Sequence, residues 1–596
     1  MRLPRPRAKS GLPQGIAALA ALAVGFALLA GAGSPLGAGP AFFPVAAVRP
    51  GMTGTGRTVV LGTRVVEFGV RVLGVLKNAG PAGDLVLFRA FGPALEKVGG
   101  LAAGMSGSPI YLEGRLAGAF SYAFEGADPF VGLFTPIEDM LRDLPAPQEG
   151  GRGDRAVPVS PFRLGGRWVR EVIIAPRPGA APPPGTAVAV PAATPLFVSG
   201  LAPLQQERLA RLVAPMGLVA IPGSGPVHLP PSVPLVPGSA IGVGLIRGEI
   251  SAYAIGTLTY RDGARVLAFG HPLANLGRTS YVLTNATIFQ TLKSASRNIA
   301  VGAAGVPVGV VTEDRPAAIG GVVGVLPRVF GVEVRVRDAD TGASHRYVFQ
   351  VVRSRELAPA LVTLSVEGAI QRALNRSGEG TARVRMVLRG RALPHPVVRE
   401  NLFYSGSDIT VDALSELPEA LHLLFDNDFT DVRPSDMVVD VRVTRDRKTA
   451  LITGMDAPSG PLVPGHRVQL ALHLRPFRGE PESRTVDFLV PQGTSPGPAL
   501  LVARAGGAGA ASRLPGGLAL ASPAAPPAHT LEEAIASFED GERNTDVVVE
   551  LVGAQAGESP AAAAAGEPHR ATARVTTPWV VRGRVQVPVR IEGGTR

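Results

Sequence analysis

Ser106 stands in the run Gly104-Met105-Ser106-Gly107-Ser108-Pro109. Glycine accepts backbone angles that strain other residues, so a turn bracketed by Gly104 and Gly107 can leave neighbouring N–H groups unpaired and pointing the same way. That geometry suits a developing oxyanion, with the serine hydroxyl beside it as nucleophile. The same composition also suits a loop whose small residues merely let strands approach closely. Such a nucleophile needs a general base. Among the nine histidines, His271 is set apart by its flanks, because an apolar run ends at Phe269-Gly270 and Pro272 follows. An imidazole with an ordinary pKa of about 6.5 suits proton transfer at neutral pH.

Strands must position both residues. After Pro109, "IYLEGRLAGAFSY" reads as a hairpin with Glu113-Gly114 at its turn. The histidine follows a second hairpin, "EISAYAIGTLTYRDGARVLAFGHP", whose turn is Asp262-Gly263. The Asp262 carboxylate is therefore assigned to local turn chemistry.

The stretches "GMSGSPI", "GRLAGAFSY" and "DPFVGLFTPIEDML" resemble the serine-bearing end of the SpoIVB (sporulation stage IV protein B) serine peptidase family. "AIGTLTYRDGARVLAFGHPL" resembles the family's strand pair ending in Gly-His. The similarity runs over roughly residues 45–145 and 235–325. It implies Ser106 as nucleophile, His271 as general base, and the backbone N–H groups of Gly104 and Ser106 as oxyanion donors. It also implies a trypsin-like pair of β-barrel halves acting on a protein or peptide substrate. Two departures stand out. The serine segment here precedes the histidine segment, the reverse of the family's order, which a shared geometry tolerates. The family's acid is expected about fifteen residues before the serine, where this chain has Phe91. Asp314, in "TEDRP" after the histidine, is the favoured third member, with Asp84 and Asp128 as rivals.

At 596 residues the chain should hold several domains. Many short strands with glycine corners predict a mainly β protein: two barrel halves in permuted order, followed by accessory β-rich (α+β) domains. The expected divisions are 1–41, a signal peptide or anchor; 42–147, the serine-bearing half; 148–190, a Pro/Gly-rich linker; and 191–345, the histidine-bearing half. Beyond these lie 346–502, an accessory domain; 503–528, a flexible linker; and 529–596, a small C-terminal α+β unit.

The formal charge of +11 does not imply nucleic acid, because the basic residues are scattered and no stacking aromatics interleave with them. With no cysteine there are no disulfides and no thiol chemistry. Asp426, Asp428 and Asp431 lack the glycine and closing glutamate of a calcium loop. His466 and His473 fall on opposite faces of a strand-like run, a poor metal pair. No zinc, phosphate-loop or dinucleotide motif appears, so neither a metal nor a cofactor is expected. Arg2, Arg5, Arg7 and Lys9 precede the apolar run "GIAALAALAVGFALLAGAG", the pattern of an export signal. A cell-envelope, periplasmic or secreted location follows, with membrane anchoring if the segment is retained. A second reading keeps the fold without the chemistry: a noncatalytic envelope binding or signalling protein.

Overall fold

The computed structural model describes residues 42–124, 126–142, 156–164, 166–175, 183–230, 233–294, 297–507, 528–552 and 572–592. The export expectation for residues 1–41 lies outside them.

The serine-bearing half is a closed six-stranded barrel built from β1 (Thr53–Val59), β2 (Val65–Leu76), β3 (Leu85–Phe91), β4 (Pro109–Leu112), β5 (Arg115–Ala123) and β6 (Val131–Pro136). The order β4-β1-β2-β3-β6-β5 closes through a β4–β5 pairing. Phe68, Val70, Phe88, Ile110, Phe120 and Phe134 fill it. Strand β5 is buried on both faces: Phe120 points into the barrel, while Leu116 and Ala119 pack on Leu267 and Ala318 from the other half of the molecule. The alternation expected of this arm does not divide it into a buried and an exposed face, because residues 116–122 are buried throughout.

The region 148–190, expected to be a linker, contributes strands: β7 (Ala156–Leu164), β8 (Arg167–Ile174) and β9 (Thr186–Pro191). They extend the first sheet beyond β5 in the order β9-β8-β7. Two of its prolines, and the one that follows it, sit where a sheet tolerates them. Pro158 and Pro161 lie in the edge strand β7, where the register shifts between Pro158 and Phe162, and Pro191 ends β9.

Then come β10 (Thr194–Ser199) and β11 (Leu218–Pro222), joined through the helix Pro203–Val213. The histidine-bearing half follows as β12 (Ala240–Gly248), β13 (Ser251–Asp262), β14 (Arg265–Ala268), β15 (Gly277–Leu292), β16 (Ile299–Arg315) and β17 (Ala318–Val323). The run β13-β14-β17-β16-β15-β12 closes through a β12–β13 pairing into a second barrel. The serine-bearing barrel thus comes first in the chain.

The expected boundary at 345/346 falls inside a strand. β18 (Val329–Asp338) and β19 (Ser344–Val352) form a hairpin that continues the second sheet from β12. The remaining strands of that sheet are Gly380–Arg391, Val397–Ser405 and Arg433–Thr444, and the helix Ala358–Leu374 packs into their core. The expected 346–502 domain is split: its part up to Thr444 belongs to the second sheet, and its part from Thr449 joins the expected C-terminal unit. A four-stranded sheet containing Thr449–Asp456, Arg467–Pro476 and Glu482–Leu489 takes its fourth strand from Val580–Arg582. It shares a core with a second four-stranded sheet formed by Gly497–Ala505, Asp546–Val552, Thr572–Thr576 and Arg584–Ile591.

Candidate active site

The serine turn depends on its glycines. Gly104 and Gly107 have φ of +94° and +93°, angles that cost other residues steric energy. Within the turn, Met105 N donates to Ala102 O at 3.0 Å and Ser108 N to Met105 O at 3.0 Å. The Ser108 hydroxyl also donates to Met105 O, at 2.6 Å, so Ser108 serves the turn itself. Gly107 N donates to Phe120 O at 2.7 Å. Among the described residues, the N–H groups of Gly104 and Ser106 have no acceptor. The Ser106 hydroxyl, fully buried, has no partner either.

The second barrel grips this turn through β13. Thr257 N donates to Ser106 O at 2.8 Å. The Thr257 hydroxyl reaches Gly104 O at 3.3 Å, and that of Thr259 reaches Gly107 O at 2.7 Å. These threonines escaped the sequence reading, since nothing local ties residue 257 to residue 106. Gly107 lies so close to the other half that a Cβ there would stand 2.1 Å from Thr257 O and 2.5 Å from Phe269 N.

The histidine loop leaves β14 through Phe269 and Gly270, both with positive φ (+70° and +71°). The unusual angle at Phe269 sends its ring into the second barrel's core, where it is fully buried. A Cβ on Gly270 would meet Ala119 and the carbonyl of Phe120 at 3.2 Å. One carbonyl, that of Phe120, therefore touches both the neighbour of Ser106 and the neighbour of His271. The structure brings the two predicted residues to one junction between the barrels.

His271 is 2% exposed. Its Nδ1 lies 2.7 Å from Pro272 O, a carbonyl that can only accept, so Nδ1 carries the proton and Nε2 bears the lone pair. Among the described residues Nε2 has no hydrogen-bond partner. Burial lowers the imidazole pKa to about 4, and the Pro272 carbonyl and the backbone of Ala192 oppose the shift only in part. At neutral pH the ring is an uncharged acceptor.

Asp314 is not brought to the imidazole. Its carboxylate accepts from Leu273 N at 2.7 Å, Ala274 N at 2.8 Å, Leu276 N at 3.5 Å and the Tyr281 hydroxyl at 3.3 Å. Burial pushes the carboxyl pKa up against these bonds, which favour the anion. Asp314 thus clamps the loop that follows His271, a positioning role, and the contact that orients the ring comes from Pro272. The rivals lie elsewhere: Asp84 pairs with Lys77, and Asp128 with Arg89. Phe91 lies across Gly69.

A second Ser-His-Asp row makes an instructive contrast. His473 Nε2 lies 2.8 Å from Asp456 Oδ2, and its Nδ1 lies 2.8 Å from the Ser483 hydroxyl. These residues sit side by side on three neighbouring strands of an open sheet. Ser483 occupies an extended strand, with no turn beside it to gather N–H groups on a developing charge, so the row has the residue types without the electrostatics.

Residues 45–141 match the family described as SpoIVB peptidase S55. The match spans all six strands of the first barrel and the serine turn, and ends before the second barrel begins. The resemblance read from the serine motif is thereby supported. Comparison with curated proteins returns no match.

Proposed function

We propose that this chain, similar to SpoIVB peptidases over its first barrel, is an exported serine peptidase using Ser106 and His271. One observation carries the reading. Among the described residues, the Gly104 and Ser106 N–H groups have no acceptor beside an unpartnered serine hydroxyl, in a turn gripped by the barrel that bears His271.

The Ser106 hydroxyl attacks a substrate carbonyl while His271 Nε2 takes its proton. The two N–H groups receive the negative charge on the carbonyl oxygen. The imidazolium then protonates the leaving amine, and water releases the acyl group by the reverse sequence. The Pro272 carbonyl fixes the tautomer. It bears no full charge, so it stabilises the imidazolium less than a carboxylate would, and turnover is expected to be modest.

Prolonged incubation with a fluorophosphonate probe should modify one residue, Ser106, identified by mass spectrometry of the peptide containing it. The competing reading, a binding protein that keeps the fold, draws on the absence of a carboxylate at His271 and expects no modification at all. Export is proposed from the basic and apolar N-terminal sequence. The mature chain should begin near Phe42 in the envelope or secreted fraction. An intact Met1 on cytosolic protein would refute export, whereas an intact Met1 in the membrane fraction would identify an anchor.

A further inference from the structure

Strand β9 ends against the candidate site. Val190 and Pro191 pair antiparallel with Ala123 and Tyr122 of β5. One residue on, Ala192 N donates to Ser121 O at 2.7 Å. Ser121 is wired to the histidine loop: its hydroxyl lies 2.8 Å from that of Thr135, which donates to Gly270 O at 2.7 Å. The backbone of Ala192 faces the His271 ring. Beside Ala192 is a cavity of about 90 Å³, walled by Ala102, Ala103, Phe120, Val131 and Asn298. Ala102 and Ala103 lead directly into the serine turn.

We infer that the edge of β5 at Ser121–Ala123 is the peptide groove of this site, and that Val190–Ala193 fills it as a competitor built into the chain. The inference rests on the peptidase reading above. An extended segment held by backbone hydrogen bonds on a strand edge, with a side chain at a pocket, is how β-strand addition binds a peptide. Here the segment shares a cavity with Ala102 and Ala103 and lies beside the His271 ring, and Ser106 and His271 are 0% and 2% exposed. The segment blocks without being cut. The Ala192 backbone is turned toward the imidazole, while the N–H groups that would hold a reacting carbonyl oxygen stay without an acceptor.

The occupant also defines the substrate class. The cavity admits a few methyl-sized groups, and Arg297 and Asn298 line it alongside its alanines, so the groove takes an extended segment with a small residue opposite Ser121. A substrate segment of that kind enters only while β9 is out of the groove, and a partner that draws β9 away opens the site.

The test measures the rate of fluorophosphonate labelling at Ser106 in three full-length proteins. Ala192→Pro removes the N–H that bonds Ser121 O and should label roughly tenfold faster than the wild type, the effect of losing one buried hydrogen bond and its fit. Ala192→Gly keeps the N–H but loses the methyl at the cavity and should label faster than the wild type but more slowly than Ala192→Pro. A second measurement needs no variant. An acetylated, amidated peptide of residues 186–192 at about millimolar concentration, needed to rival a tethered strand, should slow labelling of the wild type by capturing the open groove. The same peptide with tryptophan in place of its last alanine should not. Equal rates for wild type and a folded Ala192→Pro protein, with no effect of either peptide, would overturn the competitor and leave the peptidase standing. Absence of Ser106 labelling in every protein would remove both.

Discussion

Ser106→Ala is expected to reduce peptide hydrolysis by at least about a thousandfold and to abolish fluorophosphonate labelling, because no other group in the turn can form the acyl bond. Ser108 cannot replace it, since its hydroxyl is committed to Met105 O. His271→Gln should cost a similar factor, and the double variant no more than either single one, since residues acting in one step are not additive. Independent losses in the double variant would argue against a shared step. The pH profile adds a signed check. The reaction needs the neutral ring, and burial lowers its pKa to about 4. Labelling of the wild type should therefore persist from pH 7 down toward pH 4 and fail below it as the ring takes up a proton. Opening the groove rehydrates the ring, and in Ala192→Pro the failure should move up toward about pH 6.5. A wild-type limb already near 6.5 would mean that the ring is solvated in the resting protein.

Gly107→Ala should be severely destabilising. The new Cβ would lie 2.1 Å from one backbone atom and 2.5 Å from another, Thr257 O and Phe269 N, at a position with φ of +93°. Neither contact is with a flexible side chain, so relief requires the barrels to separate. The expected cost exceeds about 4 kcal/mol and lowers the melting midpoint by roughly 10 °C. Gly114→Ala is the control. Its φ is +74°, but no atom lies within 4 Å of the new methyl, so the cost should stay near 1 kcal/mol. Equal melting of the two variants, measured by circular dichroism, would show that Gly107 is not wedged between the barrels.

The parts of this site that could be read from sequence were those encoded locally. Gly104, Gly107 and Gly270 announce positive φ, and alternating or apolar runs around them announce strands. What stayed illegible depends on contacts between residues far apart in the chain. Asp314 looked like a triad acid because it lies in the half that carries His271, yet it bonds the backbone at 273, 274 and 276. The orienting carbonyl of Pro272 carries no side-chain signature at all. Residues 156–164 read as part of a linker because proline's missing donor is tolerable at a sheet edge and at a bulge, where Pro158 and Pro161 lie, and composition cannot tell such an edge from a loop. The division at 502 failed for a similar reason. Val580–Arg582 belongs beside Thr449–Asp456, more than a hundred residues earlier.

The division of Ser106 and His271 between two barrels also governs when catalytic competence can arise during biosynthesis. The serine turn is synthesised long before Thr257, Thr259 and the histidine loop exist, and an isolated first barrel has no base. Its partner must be completed through β17, with every strand pairing of the second ring in place, before the turn is gripped. Closure over such sequence distances is slow relative to local structure. On the peptidase reading, a chain still emerging from the ribosome is thus chemically inert, and hydrolytic power is delayed until both barrels have docked.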